Sequence, residues 1–271
     1  MKNVEILLSV MHQNDCSIVT SMNLETDILI INQCDKNKYE ENIYNGHKVR
    51  MIYTTERGLS RSRNMALKNA KGDICIICDE GETFCSGYRD AILSAYKEKP
   101  NAALIAFNVN RTDSRGALNK KITKFEKYNT KESFCSKNLT FQREIILKNN
   151  VFFNTNFGAG SGKISCGEES LWQRSIKNIK LEMYKHPFTI AQSGKNKSTW
   201  FTGYDEKFFY DKGFYLAESM PKSKHFVKYY FVLRLLSVCK LSIKKQVRSL
   251  NMGIKGHKDN LSYLEYINKH N

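Results

Sequence analysis

The feature that most constrains this chain is the segment DICIICDEGE at residues 73–82, where an unbroken apolar run ends in carboxylates. A strand that is apolar throughout must be covered on both faces, as is the central strand of a sheet between two helix layers. Carboxylates directly after such a strand lie at the C-terminal edge of the sheet, where they are costly unless they are used. The segment therefore predicts a central strand whose end carries either a candidate site formed by Asp79, Glu80 and Glu82 or an acidic turn that caps the helix beginning near Ser86.

Apolar strands alternate with helices through the first half of the chain. Strands are predicted at 4–11, 26–34, 48–55, 73–80 and 102–110, with helices from Leu59, closed by Gly72, and from Ser86 to Pro100. This alternation predicts an α/β sheet of mostly parallel order. Ligands of such sheets bind outside the carboxyl ends of the strands, so loops 12–15, 32–35, 54–58 and 78–82 are expected to surround one crevice.

The formal net charge of +16 indicates an anionic partner, and nucleic acid, anionic lipid and phosphorylated small molecules all qualify. The apolar stretch at the N-terminus is too short for a signal peptide, which predicts a cytoplasmic protein whose eight cysteines are reduced. Cys75 and Cys78 form a C-x-x-C pair. On a strand, residues three apart point to opposite faces, so these thiols are not expected to converge on a metal.

Two further clusters carry candidate chemistry. Arg57, Arg61 and Arg63 lie at the start of a predicted helix, where guanidinium and backbone N–H groups suit a diphosphate. The alternative is a solvated basic helix face. Glu168 and Glu169 begin a later helix, where a carboxylate suits a general base and also suits plain N-terminal capping.

The stretch TTERGLSRSRNMALKNAKGDICIICDEGETFCSGY resembles the donor-site half of family 2 glycosyltransferases, which have a GT-A fold. Later, CGEESLWQR is similar to the family's acidic pair followed by an aromatic residue, and STWFTGYDEKFFYDKG is similar to C-terminal segments of polysaccharide-building members. The resemblance implies a GT-A (Rossmann-like) α/β domain over residues 1–215. A basic, aromatic helical segment is expected at 216–271.

The resemblance also implies a reaction and its residues. A sugar would pass from a nucleoside-diphosphate sugar, expected to be a UDP-sugar, to a hydroxyl of a glycan or lipid-linked acceptor. Inversion at the anomeric carbon and a role in bacterial surface polysaccharide such as capsule are implied as well. By position, the donor nucleotide would meet Ser9, Met11, Asn32, Arg63, Asp79 and Glu80, the base would be Glu169 preceded by Glu168, and Trp200 would form an acceptor wall.

The chain departs from the family pattern at two positions. Gly81 stands where relatives have a second metal-binding aspartate, which leaves Asp79 and Glu82 as candidate ligands for Mn²⁺ or Mg²⁺. The nearby arginines offer a different way to neutralise the leaving diphosphate, because positive charge is what that step needs. Glu169 replaces the usual aspartate and is chemically equivalent as a base.

Residues 221–258 hold ten Lys and Arg and no Asp or Glu. Their most apolar part is interrupted by Arg234 and Lys240 and is shorter than the roughly 20 residues a bilayer requires, so no span is expected. A cationic amphipathic helix suits an anionic lipid surface, which would place the protein peripherally on the inner face of the cell membrane. The alternative is a helix packed on the catalytic domain with solvated lysines.

Three other functions compete with glycosyl transfer. A nucleic-acid-binding protein would explain the charge, but no helix-turn-helix, zinc-finger or RNP-like pattern is present, and no nucleic-acid partner is expected. A sugar nucleotidyltransferase would have a glycine-rich loop after the first strand, where this chain has MHQND. A non-catalytic family member is made conceivable by Gly81.

Overall fold

The structure is a computed structural model that describes residues 2–111, 121–128, 133–194, 201 and 203–270. The strands are β1 (Val4–Met11), β2 (Asp27–Gln33), β3 (Lys38–Tyr44), β4 (His47–Thr54), β5 (Ile74–Asp79), β6 (Glu82–Phe84), β7 (Ala102–Arg111), β8 (Glu126–Lys127), β9 (Leu139–Gln142) and β10 (Glu182–Ser193). The helices are α1 (Leu59–Asn69), α2 (Tyr88–Glu98), α3 (Arg143–Lys148), α4 (Glu168–Asn178), α5 (Glu206–Ser219), α6 (Lys224–Leu235), α7 (Ile243–Lys258) and α8 (Tyr263–His270).

The chain divides into two compact units. The first comprises Met1–Asn154 and Glu169–Lys197 and contains the whole sheet, while the second comprises Thr155–Glu168 and Ser198–Asn271 and is mainly helical. The domain boundary expected between residues 215 and 216 falls within α5.

One mixed sheet organises the first unit, with strand order β3-β4-β2-β1-β5-β9-β7-β10-β6 and β8 paired to β10. The run β4-β2-β1-β5 is parallel, whereas β3 and β9 pair with their neighbours in antiparallel fashion. The α/β fold class predicted from the sequence is confirmed. The parallel run brings the carboxyl ends of β1, β2 and β5 to the same edge of the sheet.

Helices and loops cover both faces of this sheet, as the apolar character of β5 predicts. Ile74 through Cys78 are all buried. Cys75 packs into the core on one face and Cys78 into the core on the other. The prediction that these two thiols diverge is therefore confirmed.

Gly72 does not close α1, contrary to the sequence prediction. The helix ends at Asn69, and Gly72 lies in the turn to β5, where an added Cβ would be 2.5 Å from the Cβ of Glu5. The buried Glu5 carboxylate accepts hydrogen bonds from the Lys71 and Gly72 N–H groups at 2.6 and 2.8 Å and pairs with Arg50 at 2.5 Å. Gly72 is thus required by a close approach of two chain segments.

The second unit is built on α5 packed against α7. An added Cβ at Gly213 would lie 2.1 Å from the Leu250 carbonyl oxygen, and one at Gly253 would lie 2.0 Å from that of Tyr210. These two glycines let the helix backbones meet. Among the described residues, no helix combines the length and apolar character needed to cross a bilayer.

Candidate functional site

Three predicted residues lie at the shared carboxyl edge of the parallel strands. Ser9 is paired in register with Asp79 of β5, and Val10 with Asn32 of β2. The buried amide of Asn32 accepts the Gln13 N–H at 3.0 Å and donates to the Gln13 carbonyl at 2.7 Å. Asn32 therefore holds the loop after β1, a two-way contact that the acceptor-only carboxylate of an acidic residue would not make.

The side chains of Ser9 and Met11, both predicted to meet the nucleotide, have different environments. The Ser9 hydroxyl is buried and lies 2.8 Å from that of Ser62 in the first turns of α1. Met11 is half exposed at the last position of β1. Ser9 thus joins β1 to α1, while Met11 offers an apolar surface beside the crevice.

Arg63 forms the centre of the site. Its guanidinium is only 4% exposed, and Nη2 donates to Asp79 Oδ1 at 3.0 Å, to Ser136 Oγ at 2.9 Å and to Glu169 Oε1 at 3.4 Å. Its Cζ also lies 5.5 Å from the centre of the Phe153 ring. One buried cation therefore joins Asp79 at the end of β5 to Glu169 at the start of α4.

Asp79 is kept ionised within this network. Burial acts to raise the pKa of its carboxyl, but the charges of Arg63 and Lys137 and the hydrogen bonds from Arg63 and Ser136 hold that pKa below its ordinary value. Its Oδ2 accepts the Ser136 hydroxyl at 3.2 Å, and its side chain remains 29% exposed. Asp79 can therefore accept further hydrogen bonds from a ligand in the crevice.

The pKa of Glu82 is shifted in the opposite direction to that of Asp79. Its side chain is buried, and Oε1 accepts the Asp79 N–H at 3.0 Å. Burial and the neighbouring Asp79 charge raise the pKa of this carboxyl to about 8, and the Lys137 amine at 3.7 Å offsets them only in part. Lys137 also donates to Ser193 Oγ at 2.7 Å.

This donor set does not fit a resident divalent ion. Gly81, with φ near 82°, has no side chain, and Glu80 is exposed, with a long 3.4 Å contact to Gln13. Glu82 is turned inward onto the backbone, and Asp79 is held by Arg63 and Ser136, so a single partly exposed carboxylate is left at the strand end. In the part of the chain that the structure describes, no three His, Cys, Asp or Glu side chains converge as metal ligands would.

Helix α4 begins at Glu168, as predicted, which places Glu169 in its first turn. Glu168 is buried, while the Glu169 side chain is 26% exposed. The helix is anchored by Trp172, whose indole N–H donates to the Val151 carbonyl at 3.1 Å and whose ring stacks on Phe153 with centroids 4.8 Å apart. This packing fixes Glu169 beside Arg63.

Several predicted site residues are not gathered around Arg63. Arg57 pairs with Asp35 at 2.5 Å, and Arg61 donates to the Arg57 carbonyl at 3.1 Å, so both stabilise the chain before and within the first turn of α1. Trp200, the expected acceptor wall, lies outside the described residues.

Sequence reasoning missed Ser136, Lys137 and Gln173. The first two lie in a single 3-10 turn before β9, and no motif marks that turn in the sequence. The buried Gln173 side chain donates to the Phe134 carbonyl at 2.7 Å and accepts its N–H at 3.0 Å, which holds this turn against α4. The pairing of β9 between β5 and β7 brings Ser136 and Lys137 to the site.

Comparisons with known proteins agree with this architecture. The model of the family described as Glycosyl transferase family 2 matches residues 4–162, which is more than half of the chain. No curated protein matches the chain. Crystal structures of S. aureus TarS 1-349 are similar in fold, one in complex with UDP (TM-score 0.63, 10% identity, 96% of this chain and 83% of that chain) and one with UDP-GlcNAc (TM-score 0.63, 9% identity, 96% and 93%).

Proposed function

The chain belongs to glycosyl transferase family 2, and from that premise we propose that it transfers a sugar from a UDP-sugar to a hydroxyl of a glycan or lipid-linked acceptor in surface-polysaccharide synthesis. Family membership makes the chain a glycosyltransferase. It therefore argues against the two competing functions considered from the sequence, nucleic-acid binding and nucleotidyl transfer. The choice of UDP is supported by the similar TarS structures, which hold UDP and UDP-GlcNAc. Capsule as the product stays a prediction.

The observation that carries this proposal is the Arg63 bridge. It links Asp79, at the strand end where the donor is expected, to Glu169, at the helix start where the base is expected. Both carboxylates are partly exposed while the cation between them is buried. A donor contacting Asp79 would therefore have its reactive carbon near an acceptor contacting Glu169.

The reaction we assign to this arrangement is a single displacement. The Glu169 carboxylate takes the proton of the acceptor hydroxyl as that oxygen attacks the anomeric carbon. The bond from this carbon to the β-phosphate oxygen breaks, and its electron pair leaves with UDP. Attack from the side opposite the leaving group inverts the anomeric configuration.

Arg63 acts as a positioning residue in this mechanism. Its guanidinium is buried and already donates to Asp79, Ser136 and Glu169. Direct approach of Arg63 to the diphosphate stays a prediction.

Positive charge for the leaving diphosphate comes, in this proposal, from Lys137. The donor set does not fit a resident divalent ion, and a diphosphate leaving group needs a cation. The Lys137 ammonium lies beside the Asp79–Glu82 turn, and its side chain is 18% exposed. It has three donor hydrogens, of which Ser193 uses one.

A thermal-shift screen against UDP-, GDP-, dTDP- and CMP-sugars tests the donor site directly. We expect a UDP-sugar to raise the unfolding temperature, with or without Mn²⁺, because binding to the native state stabilises it. A shift by none of these donors would overturn the proposal. Donor binding without transfer to any acceptor would instead identify a non-catalytic family member.

A further inference from the structure

Helix α6 is apolar on two sides, but only one side is used within its own unit. Val227, Phe231, Val232 and Leu235 pack against α5 and α7 in the core of the second unit. On the other side, five large residues at helical spacing are exposed, namely Phe226, Tyr229, Tyr230 and Leu233 of the helix and Leu236 directly after its last residue. We call these five residues the α6 stripe.

The exposed residues of the α6 stripe adjoin one another and are not scattered singly over the surface. Phe226 is 82% exposed and Leu233 is 64% exposed, and positions three and four apart on a helix adjoin one another. Contiguous apolar surface of this kind marks a site that meets a partner or a membrane.

The chain segment that carries the stripe is cationic. Residues 221–258 contain ten Lys and Arg and no acidic residue. A shallow cavity of about 440 Å³ runs along α7 and is lined by Lys244, Val247, Arg248, Asn251, Met252 and Lys255. Lys228 of α6 donates to Asn251 at 2.7 Å, so this cavity adjoins α6.

We propose that the α6 stripe inserts into the headgroup region of an anionic lipid bilayer, with exposed basic residues of α6 and α7, such as Arg234, Lys244 and Arg248, against the lipid phosphates. A helix with bulky apolar side chains on one face and cations beside it binds such a surface by burial and by attraction together. The tyrosines suit the interface, where one end of the ring is apolar and the other wet.

A second copy of the chain fits this surface poorly. A symmetric interface places the same patch of both subunits face to face. Here that would bring two segments of ten cations together without an acid in either. Anionic lipid would cover the apolar side chains of the stripe and also neutralise the nearby cations. Self-association would cover the apolar side chains only.

Vesicle flotation of the full chain tests the proposal, and binding is measured without any sugar donor, so the result is independent of the transfer reaction. Vesicles of phosphatidylcholine alone are compared with vesicles in which part of it is replaced by phosphatidylglycerol. The double variant Phe226→Ser/Leu233→Ser removes the centre of the stripe. Leu264→Ser on α8 is the matched control, because Leu264 is 68% exposed in the same unit.

We expect the wild type and Leu264→Ser to float with the anionic vesicles, and high salt to weaken that binding. The double variant should bind at least about tenfold less, while circular dichroism shows an unchanged fold. Equal binding to neutral and anionic vesicles, or full binding by the double variant, would overturn the proposal. So would a wild-type dimer in light scattering that the double variant dissociates, since a second copy would then cover the stripe.

Discussion

At the scale of single residues, the site depends on how one buried guanidinium is shared. The sequence indicates that Arg63, Asp79 and Glu169 belong to one site, because their motif order resembles that of a known family. It does not indicate that Arg63 is buried between the two carboxylates, since that follows from packing against Phe153 and Ser136. That these three residues lie together was predictable, and the burial of the arginine between the two carboxylates was not.

We expect sugar transfer to require Lys137 and not to require a divalent metal ion. Replacing Lys137 with Met removes the cation that we assign to the leaving diphosphate, so kcat/KM for the donor should fall by about tenfold or more. The measurement is a steady-state transfer assay run in the presence of a chelator. Lys121→Met, at an exposed position, serves as the control and should behave as the wild type.

Two results would contradict the role assigned to Lys137. Loss of wild-type activity in chelator, restored by Mn²⁺ but not by Na⁺, would mean that a divalent ion supplies the charge. A Lys137→Met variant with unchanged kcat/KM would remove the residue from the mechanism.

Glu82 should make the protein less stable as pH rises. Its pKa is raised from an ordinary 4.5 to about 8 by burial and by Asp79. Between these values the folded protein holds a proton that the unfolded chain has released, so stability falls with increasing pH. Glu82→Gln cannot titrate and can still accept the Asp79 N–H.

We therefore expect the free energy of unfolding to decline less in Glu82→Gln than in the wild type between about pH 5 and pH 8. Urea unfolding at a series of pH values measures this difference. Parallel pH profiles for the two proteins would contradict the assignment of a protonated Glu82.

At the scale of secondary-structure elements, the sequence predicts those strands whose own residues form a strong apolar pattern. β1, β2 and β5 are continuous apolar runs, and each lies within a residue or two of its predicted bounds. β3 is an edge strand with mostly exposed polar residues, and β9 is a four-residue strand whose partners are distant in sequence. Neither has a local pattern strong enough to be found without its neighbours.

Helix α5 was missed for a related reason. Its sequence, EKFFYDKGFYLAES, carries aromatic residues and a glycine that are unfavourable for a helix in isolation. The glycine is required because α7 crosses at that point, with the Leu250 carbonyl beside Gly213. Tertiary packing therefore selects a helix that local propensity does not.

Gly253→Ala should destabilise the second unit. Its new Cβ would lie 2.0 Å from the Tyr210 carbonyl oxygen, so α5 and α7 would have to separate. Overpacking of this kind costs about 1–3 kcal/mol and should lower the unfolding temperature by several degrees. Thermal circular dichroism measures the shift.

Gly194→Ala provides the matched control for the helix-crossing prediction. The nearest atom to a Cβ there is the Gly81 carbonyl oxygen at 3.4 Å, an ordinary contact. An equal fall in unfolding temperature for both variants would show that loss of glycine, rather than the helix crossing, causes the effect.

At the scale of the whole molecule, the two units carry different parts of the account. The first holds the sheet and the Arg63 network, and the second holds the α6 stripe and the cationic segment. The net charge of +16 alone left several anionic partners open. The structure buries Arg50 and Arg63 against carboxylates and leaves basic residues of α6 and α7 exposed.

The central claim is that Glu169 is the base of a donor-dependent transfer, and one comparison tests it most directly. Transfer from the UDP-sugar identified by thermal shift is measured for the wild type and Glu169→Gln, with Glu144→Gln as control because Glu144 is an exposed first-turn glutamate of α3. We predict that Glu169→Gln lowers kcat by about 100-fold or more while donor binding is retained, and that Glu144→Gln keeps full activity. Near-normal transfer by Glu169→Gln would contradict the account.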